Sequence, residues 1–250
     1  MNDENSELAL NICLLYGEIM AKNNVDPRDI QRDIHKIGTI MNMDQVTIYQ
    51  TLTGIFITLN QGSKIKMRVI DATENNFEKI IRAKQALENF KNSILTQENF
   101  YKTLIEINNT HYSFPITVQV LSAGMVSAAL GVVFTSQLSD FPIDLIIGGV
   151  SYFILLYFQK KLMLKSFSTF LSASVLAILV SLSINLDLAT NPYMIIFSCI
   201  MPLVPGIEIV NSIRSVLENN YLIATSQILE ALMITIMILM PITFFLNILT

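Results

Sequence analysis

The pattern of hydrophobic and polar positions changes character close to the middle of the chain. Before Phe114, apolar residues recur at helical or alternating spacing among many charged ones; from Pro115 onward they form long runs. The first 114 positions hold 26 charged residues and the last 136 hold 10. A membrane-spanning helix needs about 20 mostly apolar residues, whereas a soluble domain has roughly 25% charged ones. The pattern therefore predicts a soluble domain over residues 1–112 and a transmembrane domain over residues 113–250.

The first part has the mixed periodicity of an α+β domain. Segments with helical or strand periodicity cover residues 7–23, 27–41, 46–53, 54–59, 65–70, 74–92 and 96–107. Asp26 stands before Pro27 as a helix N-cap residue would, and Thr96 has the same place before a later helix. Asn60 to Ser63 is a turn sequence between two strand-like segments, which predicts a β-hairpin.

The second part is predicted to be an α-helical membrane domain with about five spans. The apolar stretches cover residues 115–138, 141–158, 167–186, 192–205 and 222–249. The fourth stretch is the shortest and the least regular. Asp144 lies near one end of the second stretch, where we expect it at the membrane interface.

The loops between the spans predict an orientation. With five spans, all four basic residues after Phe114 fall in loops on one side: Lys160, Lys161, Lys165 and Arg214. The positive-inside rule then predicts a cytoplasmic N-terminal domain and a carboxyl terminus outside. The acidic start lacks the pattern of a secretory signal, which also favours the cytoplasm for this domain. We therefore expect a multi-pass protein of the inner or plasma membrane.

The fourth stretch carries the first candidate functional residues. Pro202, Pro205 and Gly206 cannot all lie inside one regular helix. Irregular backbone at membrane depth is tolerated only where it is buried in protein or lines a cavity. Helices interrupted by proline or glycine often mark the substrate site of transporters, so these three residues are predicted to line a substrate path.

The helix expected after Gly206 would place Asn211, Arg214 and Glu218 on one face. An amide there can contact a polar substrate, and the planar guanidinium of Arg214 can bind a carboxylate through two parallel hydrogen bonds. An interfacial amphipathic helix with a solvated Arg214 fits the same pattern equally well. Glu208 and Glu230 are candidates for proton coupling if they are buried, since carboxylates within apolar stretches are functional candidates by default.

Composition excludes several other classes of protein. The net charge is −4 and no long basic run is present, which argues against nucleic acid as a partner. Cys13 and Cys199 lie in different halves, which excludes a disulfide framework and a cysteine-rich zinc site. No metal-ligand spacing, phosphate-binding loop or nucleophile motif is present. We therefore expect no metal, no cofactor and no enzymatic activity.

Several segments resemble the threonine/serine exporter family, including its split, two-subunit form associated with succinate export. The most specific is PLVPGIEIVNSIR, from Pro202 to Arg214, followed by QILEAL at the start of the last span. The segments YGEIMAKNNVDPRDIQRDIHKIGTIMN and ENNFEKIIRAKQALENFKNSILTQENFYKTLIEI resemble the helices before the family's first span. One departure is Ser215, where the family commonly has aspartate after the arginine.

The resemblance implies a secondary exporter of a small carboxylate-bearing metabolite, either threonine or serine or a dicarboxylate such as succinate. Single-chain members have about ten spans, so five spans resemble the larger half of a split transporter. It also implies association with a second small membrane subunit or with further copies of this chain. A membrane-anchored sensor or scaffold, whose cytoplasmic domain binds a ligand, is the alternative.

Overall fold

The computed structural model describes residues 3–43, 46–51, 53–59, 64–70, 75–162, 164–188 and 190–249. The chain divides into two compact units, residues 1–113 and 114–250. Each unit is described by itself.

In its described residues, the first unit combines four helices with a small antiparallel sheet. Its elements are α1 Asp3–Lys22, α2 Pro27–Ile40, β1 Thr47–Gln50, β2 Gly54–Leu59, β3 Lys64–Val69, α3 Phe77–Lys91 and α4 Gln97–Asn109. The strand order is β1-β2-β3, and the pairing of β2 with β3 confirms the predicted hairpin strands. The turn predicted at residues 60–63 lies outside the described residues. Both predicted caps are confirmed: Asp26 accepts from the Arg28 N–H at 2.8 Å and Thr96 from the Asn99 N–H at 3.3 Å.

Helix α1 is the centre of the first unit's core. Ile12, Tyr16 and Ile19 are fully buried, and Ile55 and Ile57 of β2 are buried in the same cluster. The Tyr16 hydroxyl donates to Asp33 of α2 at 2.9 Å. Burial, reinforced by this carboxylate, raises the pKa of the Tyr16 hydroxyl, so the phenol stays neutral and keeps donating.

The second unit is a bundle of apolar helices. Its elements are α5 Ile116–Thr135, α6 Phe141–Leu162, α7 Lys165–Asn185, α8 Pro192–Ile200, a 3₁₀ turn Met201–Leu203, α9 Gly206–Leu217 and α10 Tyr221–Leu249. Four helices in the described part of the chain (α5, α6, α7 and α10) are long and apolar enough to cross a membrane. Residues 192–203 and α9 also pass this test together, with a bend of 63° between them, which makes a fifth span if the bent pair crosses once.

Helices α5 and α6 approach each other closely because small residues line their contact. A Cβ atom on Gly124 would lie 2.5 Å from the carbonyl oxygen of Leu145, and one on Gly148 would collide with the Ser127 side chain. Small residues at helix contacts are how helices pack in lipid, where no hydrophobic effect drives them together. The backbones of α5 and α6 therefore lie closer together than they could with larger side chains at these positions.

Helices α7 and α10 run parallel. Lys165 at the start of α7 contacts Glu230 of α10. Further along both helices, Phe170 and Ser174 of α7 line one groove with residues 240–245 of α10. Residue numbers increase in the same direction along both helices. After α7, the chain must therefore cross the bundle in the opposite direction before α10 begins, and α8, the 3₁₀ turn and α9 form that connection.

Candidate functional site

The helix interruption that the prolines predict is present. Helix α8 ends at Ile200, a 3₁₀ turn follows, and α9 begins at Gly206. Pro202 and Pro205 have no N–H group to extend a helical ladder. Pro205 is buried, whereas a Cβ atom on Gly206 would meet nothing within 4 Å. The bend of 63° between the two helices is the result.

Helix α9 turns a different polar face into the bundle from the one predicted. Glu208, Ser212 and Ser215 are its buried residues, at spacings of four and three. Asn211 is half-buried and Arg214 is exposed. Periodicity predicts which residues share a face, but packing against α10 decides which face is covered, and there Ser215 lies 3.4 Å from Gln227.

The apolar side of α9 faces outward. Its exposed residues are Ile209, Val210, Ile213, Val216 and Leu217. In a soluble protein such a face would be unfavourable, whereas in a membrane protein lipid or another membrane helix can cover it. Arg214 lies among these residues, away from the buried polar face.

Three helices bring charged side chains together near the break. Lys165 Nζ lies 2.5 Å from Glu208 Oε1 and 2.8 Å from Glu230 Oε1. We name these three residues the Lys165 cluster. The side chain of Glu208 is 9% exposed, whereas those of Glu230 and Lys165 are 41% and 46% exposed. One member is thus buried in the bundle while the other two are open to the surroundings.

The cluster joins both glutamates that the sequence analysis selected to a residue that it did not select. Lys165 was used there only as a basic loop residue that orients the spans. Its contacts lie 43 and 65 positions away in the chain, so no local spacing could reveal them. A lysine at the very start of an apolar helix was the available signal.

The cluster carries both signs of charge and a net charge of −1. Its ammonium can donate up to three hydrogen bonds, and its carboxylates can only accept them. Because Lys165 and Glu230 are each about half exposed, solvent weakens their pairing, and an exposed pair of this kind contributes only about 0–1 kcal/mol to stability. A ligand carrying both an ammonium and a carboxylate can therefore replace the Lys165–Glu230 pair at low cost, whereas the pair with the buried Glu208 costs more to break.

Asp144 is buried within the membrane unit, while its expected depth at the membrane interface stays a prediction. This residue is 1% exposed and lies where α5, α6 and α8 meet. The Sγ atom of Cys199 is 3.5 Å from the backbone carbonyl oxygen of Asp144 and 3.9 Å from Oδ1 of the same residue. Neighbouring helices enclose the carboxyl, with Gly131 of α5 on one side.

One turn earlier, Asp140 holds the start of α8. Its two carboxylate oxygens accept the backbone N–H groups of Thr190 and Asn191, at 3.1 and 3.2 Å. A carboxylate at a helix N-terminus satisfies free donors and opposes the positive end of the helix dipole. Asp140 thereby stabilises the N-terminal end of α8, whereas the helix break lies at its C-terminal end.

Among the described residues, no group of three His, Cys, Asp or Glu side chains could hold a metal ion.

Comparison with known proteins identifies the family. A family model with the description "Putative threonine/serine exporter" matches residues 11–249. No curated protein and no solved structure matches the chain. The match spans both units and includes the break, α9 and the Lys165 cluster. With four to five candidate spans, the chain is a multi-pass membrane protein. It belongs to the threonine/serine exporter family.

Proposed function

We propose that this chain is a secondary transporter that exports threonine or serine across the cell membrane, and that the Lys165 cluster binds the substrate. The observation that carries the proposal is the ion-paired contact of Lys165 with two glutamates from two other helices, beside a broken helix. Because such a cluster can rearrange when a charged ligand enters, it suits a site that opens and closes.

The charges of the cluster favour an amino acid over a dicarboxylate. Threonine and serine are zwitterions, so Lys165 can take the substrate carboxylate while Glu208 and Glu230 take its ammonium. A succinate dianion would meet two carboxylates and one ammonium, and like charges at close range are unfavourable. We therefore propose threonine or serine as the substrate.

The parallel course of α7 and α10 supports five spans. At about 1.5 Å per α-helical and 2.0 Å per 3₁₀ residue, residues 192–203 extend about 20 Å and α9 about 18 Å. With α8 along the membrane normal and the bend of 63°, the pair rises by about 28 Å, close to the hydrocarbon thickness of about 30 Å. The bent pair is thus long enough to cross the membrane once, whereas neither of its two segments is long enough to cross alone.

Lys160, Lys161, Lys165 and Arg214, which the sequence analysis placed in loops, lie in the end turns of α6, α7 and α9. Their bias to one side still supports a cytoplasmic first unit and an external carboxyl terminus. Helix α10 has 29 residues, which is about 43 Å, so about nine of them exceed a hydrocarbon core of about 30 Å. If its first turns project into the cytoplasm, Glu230 and Lys165 lie at the cytoplasmic membrane boundary. An exporter needs its loading site on that side.

The remaining predicted residues have roles around this site. Pro202, Pro205 and Gly206 form the bend about which α9 moves when the site opens. Asn211 is half-buried on α9, the helix that also carries Glu208, and provides an amide contact for the substrate. Arg214, exposed among apolar residues of α9, contacts a second small membrane subunit or another copy of this chain rather than the substrate.

Efflux from preloaded cells tests the proposed function. Cells with labelled threonine, serine or succinate are compared with and without this chain, alone and with its candidate small membrane subunit. We expect efflux of threonine or serine, its loss in Lys165→Gln, and its retention in Lys160→Gln, a matched exposed lysine. Efflux of succinate alone, or no efflux with both chains verified in the membrane, would contradict the proposal.

A further inference from the structure

A second buried carboxyl lies in the membrane unit, remote from the Lys165 cluster. Asp144 is in the first turn of α6, whereas the loop that leads to Lys165 follows the last turn of the same helix. Its side chain is almost fully enclosed. With Lys165 at the cytoplasmic boundary, Asp144 belongs to the outer half of the bundle.

The packing leaves a place for this carboxyl. A Cβ atom on Gly131 of α5 would collide with the Asp144 carboxylate, so the absent side chain makes the room. The hydroxyl oxygen of Ser198 in α8 lies 3.7 Å from the position of that Cβ. The thiol of Cys199 approaches the carboxyl from the same helix. A small residue and two weak donors thus enclose it.

Among the described residues of the membrane unit, no cation is placed to compensate an ionised Asp144. Helices α5 and α8 contain no Lys, Arg or His, and the only charged residue of α7 is Lys165, at its far end. The titratable groups that face Asp144 are the Cys199 thiol and Asp140, which immediately precedes α6. Asp140 differs because two backbone N–H groups already satisfy it.

This environment makes an ionised Asp144 costly in free energy, and a bound proton removes the charge. The neighbours do not suit a metal cation instead, because a hydroxyl, a thiol and a glycine do not supply the six or so oxygens that hard cations take. Glu208 and Glu230 differ in that Lys165 already provides an opposite charge for both.

We propose that Asp144 is the proton-carrying carboxyl that couples export to the proton gradient, a role that rests on the proposed exporter function. From the outer side, one proton binds a carboxylate oxygen of Asp144 and forms the neutral acid. When the helices rearrange, the O–H bond breaks and the proton leaves to the cytoplasm, while one substrate molecule leaves outward. The cycle returns the carboxylate to its starting state.

Proteoliposomes with purified protein separate coupling from transport. Threonine counterflow without a pH gradient measures transport, and threonine accumulation driven by a pH gradient measures coupling. We expect Asp144→Asn to keep counterflow within about twofold and to lower gradient-driven accumulation by about tenfold or more. Asp187→Asn, a loss of charge at an exposed position, should keep both activities.

Each other outcome has a distinct meaning. Gradient-driven accumulation by Asp144→Asn at the wild-type level would overturn the role of Asp144. Wild-type protein that performs neither assay would contradict the exporter function itself.

A test on unaltered protein avoids dependence on folding of the variant. Dicyclohexylcarbodiimide reacts with protonated carboxyls in apolar surroundings, and peptide mass analysis locates the adduct. We expect the label on Asp144 and not on Asp140, with a yield at least about tenfold higher near pH 6 than near pH 9. An unlabelled Asp144, or labelling independent of pH, would overturn the proposal.

Discussion

The ammonium of Lys165 lies 2.8 Å from Oε1 of Glu230, a residue 65 positions later in the chain. This contact joins the start of α7 to the first half of α10, while Glu208 on α9 reaches the same ammonium from the broken segment. Rearrangement of one lysine can therefore release two helices together. In the mechanism that we propose, a substrate that replaces either ion pair changes the packing of these three helices, as alternating access requires.

The two glutamates of the cluster should differ in importance. Glu208 is nearly buried and Glu230 is half exposed, so water replaces the lost contact only in Glu230→Gln. We expect Glu208→Gln to lower threonine affinity about tenfold and Glu230→Gln about threefold. Binding of labelled threonine to purified protein measures both. Equal effects, or a larger one for Glu230→Gln, would contradict this ranking.

The same variants test the proton-coupling roles that the sequence suggests for these glutamates. If either one carries the proton, its glutamine variant loses gradient-driven accumulation and keeps counterflow. We expect both variants to lower the two activities in parallel, since we assign them to the substrate.

Arg214 should act outside the substrate site. It is exposed on the outward side of α9, whereas Glu208 is on the buried side. We expect Arg214→Gln to keep threonine binding within about twofold and to lower both efflux and association with its partner chain. Binding and co-purification in detergent give the two readouts. Loss of threonine binding with association intact would instead make Arg214 the carboxylate contact.

The close contact of α5 and α6 gives a matched pair of stability variants. A Cβ on Gly148 collides with Ser127, whereas one on the adjacent Gly149 meets its nearest atom at 3.6 Å. Overpacking of this kind costs about 1–3 kcal/mol. We therefore expect Gly148→Ala to lower the melting temperature in detergent and Gly149→Ala to leave it nearly unchanged. The reverse order would contradict the packing of these two helices.

Cys13 should be unreactive in the folded first unit. Burial raises the pKa of its thiol to about 12, so the reactive thiolate is scarce at neutral pH. We expect maleimide to modify Cys13 at about pH 7.5 only after unfolding in denaturant, and labelling to become faster as pH rises towards that value. Peptide mass analysis distinguishes Cys13 from Cys199. Rapid labelling of native protein would show that α1 is not buried as described.

Local chemistry accounts for what the sequence predicts correctly. Asp26 and Thr96 cap helices because a short side-chain acceptor serves the first turn. Pro202 and Pro205, three residues apart, both lack the N–H group that a continuous helix would need at those positions. The choice of Glu208 and Glu230 as candidates, which stays a prediction, also uses local information: both are carboxylates in apolar stretches. None of these inferences needs knowledge of which helices are neighbours.

The features that the sequence does not predict depend on distant contacts. Asp144 is buried because Gly131 of α5 and Cys199 of α8 pack against it, and the sequence of its own helix does not predict these contacts. Lys165 has the same sequence context whether its ammonium reaches water or two glutamates. The covered face of α9 likewise follows from packing against α10 rather than from its periodicity.

The most direct test of the account combines a protein variant with a substrate variant. Threonine has a carboxylate for Lys165 to bind, whereas threoninamide has only the ammonium. We predict that Lys165→Gln weakens threonine binding by about tenfold or more and does not weaken threoninamide binding. Equal weakening of both ligands would show that Lys165 does not bind the carboxylate and would contradict the proposed site.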